Sequence, residues 1–316
     1  MNKDDTAPIF VSTYSRPEHL RRTLDALAAN RLAEWSDVYV FSDGPRPGDE
    51  EKVQAVRDYV DTVSDGFRSV TVIKREVNNR VANNRGGIVQ LLEASGQVIC
   101  LEEDVVTAPD FLEFMNQGLN VYRDRNDIFA ICGYTPPIIF PDDYSRDIFR
   151  CPRFNAWGFA TWKDRYDSVI FDKSQYKALL SNPEKLRQYK RRGEDVEVKL
   201  RSEAEGRLDA LDVKIIFTQF INQQSVISPV QSLVLNIGHD GTGLHCRSSN
   251  RFDVGLSEFG QTFEMDPDIE SDSRIDFALY CFRSQLSTSL LPRVMVRDLW
   301  RPFRRFLGKH LKGIRS

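Results

Sequence analysis

The sequence has few of the features on which several protein classes depend. Its five cysteines among 316 residues are widely spaced and form no CxxC pair. A disulfide framework or a zinc ribbon is therefore not expected, and a reducing cytosol suits the chain. No run approaches the roughly 18 consecutive apolar residues of a membrane span, and the polar start, residues 2–6, shows no apolar signal-peptide core.

The chain also lacks the Walker loop, the G-x-S-x-G elbow and the H-E-x-x-H helix, so three common kinds of catalytic site have no motif here. Its 43 basic and 46 acidic residues give a net charge of −3, and a nucleic-acid partner is not expected. With 41% hydrophobic and 28% charged residues, the composition is that of a globular protein with a substantial core.

What the first half does contain is an alternation of short β-branched runs with segments of helical period. Strands are predicted at 9–13, 38–41, 70–73 and 98–101. Helices are predicted after residues 15–18, which read as a capping box with proline in the first turn, around 53–63 and over 87–94. Repeated units of this length predict a mainly parallel sheet flanked by helices.

The second half is less regular. An aromatic segment over 154–162 precedes a polar helical region from 174 to about 224, in which Asp209 and Asp212 share a helix. A β-rich stretch at 226–237 then leads into the glycine-rich loop 238–246.

Polar clusters follow the predicted strands, and Glu102-Glu103-Asp104 is the most informative of them. Ligands of parallel sheets bind beyond the carboxyl ends of the strands. In an extended chain Glu102 and Asp104 point to one side and Glu103 to the other. Two carboxylates on one side suit Mg²⁺ or Mn²⁺, which could offset charge on a departing diphosphate. The alternative is a solvated acidic turn.

The order of these parts resembles a family. A first strand entering Thr13-Tyr14-Ser15-Arg16-Pro17, a second ending in Ser-Asp-Gly and a fourth ending in an acidic motif resemble a GT-A glycosyltransferase. The segments 157–162 and 235–246 are similar to the GWATW and NNIGFDGSGTHC patterns of bacterial family 2-like enzymes that build surface polysaccharides. The layout also resembles that of N-acetylglucosaminyltransferase I. The likeness spans about residues 8–250.

The resemblance implies a set of donor-site residues. They are Thr13, Arg16, Asp43, Asn78, Asn83, Glu102, Glu103 and Trp157. Thr13 and Arg16 would line the nucleotide pocket, and Asp43 would contact base or ribose, with ordinary turn and cap chemistry as its alternative. Asn78 and Asn83 fall in a segment that resembles N-x-G-x-A-N, although Arg80 stands where glycine is usual.

The metal would be Mn²⁺ or Mg²⁺. By the resemblance, Asp104 would bind it directly, with Glu102 nearby or acting through water. His245, after the flexible Gly241-Thr242-Gly243, would complete the metal site or hold a phosphate, since neutral imidazole is a common metal ligand. Trp157 is expected to stack on a sugar and Trp162 to lie in the core.

An inverting transfer needs a base for the acceptor hydroxyl. Three acids compete, ranked Asp209, then Asp195, then Asp212. Asp209 lies where the family reads D-S-W, with Ala210 and Leu211 in place of serine and tryptophan. Asp195 stands at a helix start, where capping is the alternative.

The sequence therefore predicts an α/β, GT-A (Rossmann-like) catalytic domain over 1–260, with a donor half at about 8–135 and a helical and β acceptor half at about 136–260. Residues 261–316 form an extension. The expected reaction moves a sugar from a nucleotide donor, UDP-linked, to a saccharide acceptor, a lipid-linked oligosaccharide of a bacterial surface polysaccharide. Two alternatives remain: a sugar nucleotidyltransferase, whose G-x-G-T-R loop is missing at 12–17, and a non-catalytic nucleotide-sugar or saccharide-binding protein.

The C-terminal tail differs in charge from the rest of the chain. From Arg293 onward it holds eight basic residues and one acid, hence +7. Apolar residues recur at three- and four-residue steps over 296–314, and Pro302 should divide the segment into two short helices. A basic amphipathic segment of this kind lies in a membrane interface and is drawn to anionic lipid. A cytoplasmic protein, peripheral on the inner face of the membrane, is expected; the alternative is a helix packed on the acidic catalytic domain.

Overall fold

The structure is a computed structural model, and it describes residues 6–241, 249–256 and 260–285. His245 and the basic tail lie outside these ranges. The described strands are β1 (Ile9–Thr13), β2 (Asp37–Ser42), β3 (Ser69–Lys74), β4 (Gln97–Glu102), β5 (Val105–Thr107), β6 (Ile128–Cys132), β7 (Ile148–Cys151), β8 (Phe159–Trp162), β9 (Ser225–Pro229) and β10 (Val234–Asn236).

The described α-helices follow or separate these strands. They are α1 (Pro17–Ala28), α2 (Glu50–Val60), α3 (Arg80–Ser95), α4 (Phe111–Val121), α5 (Lys163–Asp167), α6 (Lys173–Leu180), α7 (Pro183–Tyr189), α8 (Asp195–Ala204), α9 (Leu211–Ile221) and α10 (Ser273–Arg283). Short 3-10 helices occupy Ala33–Trp35 and Lys190–Arg192. None of the described helices has the length and apolar character needed to cross a membrane.

Eight strands form one sheet in the order β3-β2-β1-β4-β8-β6-β9-β7. The pairs β3–β2, β2–β1, β1–β4 and β6–β9 are parallel, whereas β8 and β7 run antiparallel to their neighbours. The predicted parallel, helix-flanked α/β sheet is therefore confirmed in the first half, and the second half adds antiparallel strands. The chain moves outward from β1 to β3 and returns on the other side of β1 as β4, so the strand order reverses between β1 and β4.

The alternation of side chains along β1 explains the two helical layers. Ile9 and Val11 pack in one core with the apolar stripes of α1 and α2, while Phe10 packs in the other with α3. Helix α3 lies very close to the sheet at Gly87, where a Cβ would be 2.5 Å from the Phe10 ring. A larger residue at that position would push α3, including the residues of its first turn, away from the strands.

The second half of the chain completes the sheet and adds a separate two-stranded ribbon. Helix α9, whose apolar side chains lie in the second core, leads into β9. β10 pairs antiparallel with β5, so that Asn236 lies opposite Val105. This pairing brings the segment after β10 against the turn that follows β4.

Two local predictions are corrected. Helix α1 begins at Pro17 as expected, but its N-cap is Arg16 and no side chain caps it, so residues 15–18 do not form a capping box. The polar helical region from 174 to 224 consists of α6 to α9, but Asp209 lies in the connection before α9 and does not share a helix with Asp212.

Candidate active site

The carboxyl ends of β1, β2 and β4 meet at one edge of the sheet. Ser12 lies opposite Glu102, and Thr13 lies opposite Ser42, because the three strands are parallel and in register. In open parallel sheets ligands bind at this edge, in the crevice where the strand order reverses. The polar residues that the sequence singles out after these strands are therefore neighbours in space.

Arg16 connects the start of α1 to the acidic turn after β4. Its Nη2 donates to Glu103 Oε1 at 2.7 Å and to Asp104 Oδ2 at 2.6 Å, and its Nε donates to Glu103 Oε1 at 3.0 Å. Burial lowers the pKa of Arg16, but Glu103 and Asp104 raise it by more, so the net shift is upward. Burial raises the pKa of Glu103, and Arg16 opposes that shift.

The predicted orientation of the acidic triplet is wrong. Glu103 and Asp104 both face Arg16, whereas Glu102 lines a separate cavity. The reason is that β4 ends at Glu102, so residues 103 and 104 form a turn and no longer alternate as in a strand.

The segment after β10 holds Asp104 from its other side. Asn236 Nδ2 donates to Asp104 Oδ1 at 3.2 Å, and Ile237 N donates to the Asp104 carbonyl at 2.8 Å. Gly238 lies so close that a Cβ there would be 2.1 Å from Asp104 Oδ2. The start of the 235–246 motif is therefore built against the acidic turn. His245 lies outside the described residues, and its predicted role stays a prediction.

The acidic turn offers carboxylate oxygens, the ligand type that Mg²⁺ and Mn²⁺ prefer. Among residues 6–241, 249–256 and 260–285, no group of three or more His, Cys, Asp or Glu side chains is placed to hold a metal. The positive charge beside Asp104 and Glu103 is the guanidinium of Arg16. The turn thus fits a metal only in part: Asp104 and Glu103 can each supply an oxygen, and a metal there must displace Arg16.

Glu102 faces a cavity of about 120 Å³ on the α3 side of the sheet. Its walls are apolar at Phe10, Ile88 and Phe159 and charged at the rim. The rim carries Arg80, Arg85, Asp209 and Asp212, and the buried Lys214 lines the cavity beneath it. Burial, with the nearby charges of Asp104 and Glu103, raises the pKa of Glu102 to about 8. We refer to this cavity, with its rim, as the catalytic cleft.

The three candidate bases occupy different surroundings. Asp209 lines the cleft, has a largely exposed side chain and accepts from Lys214 Nζ at 2.5 Å. Asp212, in the first turn of α9, also lines the cleft and has no hydrogen bond or ion pair with another described side chain. Asp195 does not line the cleft.

Asp195 is held by a two-pronged ion pair. Arg153 Nη1 and Nη2 donate to its two carboxylate oxygens, each at 2.7 Å, and Lys199 lies 3.3 Å away. Burial raises the pKa of Asp195, but Arg153 and Lys199 outweigh it, so the net pKa is well below the usual range. A carboxylate held in this way fixes the start of α8 and is a poor proton acceptor.

On the donor side, Asp43 organises the loop that precedes α3. Its Oδ1 accepts from the backbone N–H groups of Gly44 and Asn79, both at 2.9 Å, and its Oδ2 accepts from Asn78 Nδ2 at 3.0 Å. Asn83 is buried and donates to the Phe41 carbonyl at 3.1 Å. These contacts give Asp43, Asn78 and Asn83 a clear structural role, and contact with a nucleotide stays a prediction.

Thr13 lies at the end of β1, where its buried Oγ1 has no hydrogen-bond partner among the described residues. Trp157 is half-buried and makes edge contacts with Tyr134, His239 and Phe252, at centroid distances of 4.7, 5.2 and 5.5 Å. It does not line the catalytic cleft. Trp162 is buried, and its Nε1 donates to the Leu119 carbonyl, so its predicted core position is confirmed.

Sequence reasoning missed several residues of the site. Arg85, Lys214 and Asn236 were not among the candidates, and Arg80 was noted only as a departure from a motif. Lys214 carries a signal that the sequence offers, because it is a single charge inside the apolar run 213–217. Asn236 lies in the 235–246 motif, but only the pairing of β10 with β5 places it beside Asp104.

No family model and no curated protein matches the sequence. Solved structures with a similar fold include the mannosyltransferase PcManGT from Pyrobaculum calidifontis in complex with GDP-Man and Mn²⁺, at 18% identity and a TM-score of 0.35, covering 50% of this chain and 44% of that one. S. aureus TarS 1-349 is similar at 11% identity and a TM-score of 0.41, covering 74% and 61%. The complex of TarS 1-349 with UDP-GlcNAc is similar at 13% identity and a TM-score of 0.38, covering 72% of this chain and 57% of that one. The chain thus spans less than two thirds of the length of each of these proteins.

Proposed function

We propose that the protein is a glycosyltransferase that moves a sugar from a nucleotide donor, UDP-linked, to a saccharide acceptor. One observation carries the proposal: Glu102, Asp209 and Asp212 converge on a cleft at the carboxyl edge of the sheet, beside the Arg16-bound acidic turn. The Arg16-bound turn can interact with a charged leaving group, and a carboxylate of the cleft can accept a proton. The resemblance of the 157–162 and 235–246 segments supports the same assignment.

The donor nucleotide is assigned to the carboxyl edge of the sheet, at the ends of β1 and β2. Thr13 offers a buried hydroxyl without a hydrogen-bond partner among the described residues, and Asp43, with its bound Asn78, follows the neighbouring strand β2. Arg80 and Arg85, on the first turns of α3, line the adjoining cleft and can attract the diphosphate.

A divalent metal, Mn²⁺ or Mg²⁺, would be held by Asp104, with Glu103 beside it, and would neutralise charge on the departing diphosphate. His245 is proposed as a further ligand. Arg16 supplies positive charge to the same two carboxylates, so a metal bound by them would have to displace its guanidinium.

Asp209 is assigned as the base that accepts the proton of the acceptor hydroxyl. The configuration at the anomeric carbon of the donor sugar is inverted in this transfer. The hydroxyl oxygen forms the new glycosidic bond as the bond to the diphosphate breaks, and Asp209 takes the proton. Asp209 is preferred because its side chain is open at the mouth of the cleft and Lys214 fixes its direction. Asp212 is the competing base, because it also lines the cleft and forms no ion pair with a described side chain.

A lipid-linked oligosaccharide is the proposed acceptor, and the basic tail is proposed to hold the protein at an anionic membrane. A flotation assay tests the tail in the full-length chain. Wild type should float with anionic liposomes at low salt, and the variant with Arg301, Arg304 and Arg305 changed to glutamine should not. Equal flotation of the two proteins contradicts the membrane role.

The function is tested by thermal shift with UDP-, GDP- and dTDP-sugars, each with and without Mn²⁺, since a ligand that binds the native state raises stability. A UDP-sugar should give the largest shift, and transfer assays with that donor should release UDP.

The Asp209→Asn variant should bind the donor and fail to transfer the sugar. Glu270→Gln changes an exposed acid with the same change of charge and should behave as wild type. Release of pyrophosphate from UTP and a sugar phosphate would instead identify a nucleotidyltransferase, and binding without turnover a binding protein.

A further inference from the structure

A second cleft lies at the opposite edge of the sheet from the catalytic cleft. It is formed where β7 ends and β9 begins, and its volume is about 850 Å³, within the range of ligand sites. β9 runs parallel to β6, and both run in the direction of β4, so Ser225 at the start of β9 is at the edge opposite Glu102. The two clefts therefore cannot be parts of one site.

Helix α9 runs from the catalytic cleft to the second cleft. Leu211 and Asp212 at its start line the catalytic cleft, while Phe220 and Ile221 at its end line the second cleft. Eleven residues at 1.5 Å each separate the two by about 16 Å along the helix axis.

The second cleft has an excess of positive charge. Lys185, Arg191 and Arg192 line it, and none of the three makes an ion pair with a described residue. Asp276 is the one acid among the lining residues, so the three cations outnumber the negative charge. The protein as a whole has a net charge of −3, so three cations converging on one cleft mark a place for an anion.

The other lining groups are those of a site for a polar, extended molecule. Gln188, Gln223 and Gln224 carry amides that both donate and accept, and the Gln224 Oε1 is buried with no hydrogen-bond partner among the described residues. Arg192 is stacked over the ring of Phe220 at 5.0 Å, which holds the guanidinium in place. Ile221, at 40% exposure, adds an apolar surface.

We propose that this second cleft binds an acidic saccharide, one that bears carboxylate or phosphate groups, away from the reaction centre. The choice of a saccharide among anionic ligands rests on the proposed function. The cleft is far larger than an inorganic anion, and its Arg192 is half-buried, which suits a chain that enters the cleft and not a flat bilayer. Arginine and lysine bind the charged groups, and the glutamine amides bind hydroxyls.

The test compares two double variants of equal charge change. Lys185→Ala with Arg191→Ala removes two exposed cations of the cleft. Lys177→Ala with Arg187→Ala removes two exposed cations from α6 and α7 that do not line it. Binding of tetragalacturonate and of neutral maltotetraose is measured by calorimetry, together with binding to phosphatidylglycerol vesicles and to inorganic phosphate.

Tetragalacturonate should bind wild type and the control variant equally, bind the cleft variant at least tenfold more weakly, and weaken with salt. Equal binding by the two variants, no binding to wild type, or cleft-dependent binding of vesicles or free phosphate alone would overturn the proposal. Binding of UDP-sugar is measured on the same samples. If the UDP-sugar binds and tetragalacturonate does not, only the second cleft is refuted; if the reverse holds, the proposed function fails and the cleft stands as an anion site.

Discussion

Replacing Arg16 by methionine tests the electrostatics of the acidic turn without any assumption about substrate. The change keeps an unbranched side chain and removes the cation shared by Glu103 and Asp104. The three side chains are only 18%, 12% and 11% exposed, so the two carboxylates lose their partner in a poorly solvated place. Breaking a buried pair costs about 3–5 kcal/mol, and we take the lower end because the pair is not fully enclosed.

A loss of about 3 kcal/mol corresponds to a fall in Tm of roughly 4–5 °C, because the entropy of unfolding is about 2.1 cal/mol/K for each of the 316 residues. Adding Glu103→Gln to the variant should restore part of the stability, because it removes one of the two repelling charges. Arg274→Met is the matched control: its ion pairs with Asp143 and Asp272 are more exposed, so its loss should leave the Tm nearly unchanged.

The same variant tests whether Arg16 competes with a metal. Mn²⁺ at about 100 times its dissociation constant adds roughly 2.7 kcal/mol to the stability of a protein that binds it. Arg16→Met should bind Mn²⁺ more tightly and gain more Tm than wild type, since no guanidinium has to leave. A Tm within 1 °C of wild type refutes the electrostatic reasoning, and an equal gain with Mn²⁺ in both proteins refutes the competition.

Three further changes probe single contacts. Asp209→Asn should lower kcat about 10²–10⁴-fold with KM for the donor unchanged, in steady-state assays, and an unaffected kcat would move the base to another acid. Gly238→Ala should lower Tm and weaken the response to Mn²⁺, because its Cβ would meet Asp104 Oδ2 at 2.1 Å, while Gly255→Ala, with open space around its Cβ, should do neither. Burial raises the pKa of Asp276 to about 6, so between pH 4 and 6 the folded protein binds more protons than the unfolded chain and stability falls as pH rises; Asp276→Asn should remove about 2 kcal/mol of that fall in urea unfolding curves, and parallel curves would contradict it.

The first half of the fold is predictable from the sequence because its signals are local. β-Branched runs at 9–13, 38–41, 70–73 and 98–101 each gave a strand within a residue of the observed bounds. The helices between them follow apolar stripes of helical period. Since parallel strands end at one edge, the position of the site followed from the strands alone.

The side-chain geometry of the site is less predictable because it depends on contacts between distant segments. The predicted orientation of Glu103 is wrong because β4 ends at Glu102. Residue 103 lies in a turn, where side chains no longer alternate between the two faces of the sheet. The ion pair of Asp195 with Arg153 joins residues 42 positions apart and converts a candidate base into a structural acid. No local pattern distinguishes an acid at a helix start that caps from one that pairs across the fold.

The position of Asp209 shows how a buried charge can replace a missing motif residue. Ala210 and Leu211 stand where the resemblance expects serine and tryptophan, so the connection before α9 is not held by those side chains. Glu203, 1% exposed on α8, instead accepts from Lys214 Nζ at 2.7 Å and from the Ala210 backbone N–H at 3.0 Å.

Lys214 in turn reaches Asp209 at 2.5 Å and is itself only 8% exposed. A buried ammonium must be paired, and a fully buried carboxylate must be as well, so Glu203 and Lys214 constrain each other tightly. Together they fix both the backbone and the side chain of the connection. The rim of the catalytic cleft therefore depends on a pair that lies beneath it, and the lone lysine within an apolar helical run is the one sign of that pair in the sequence.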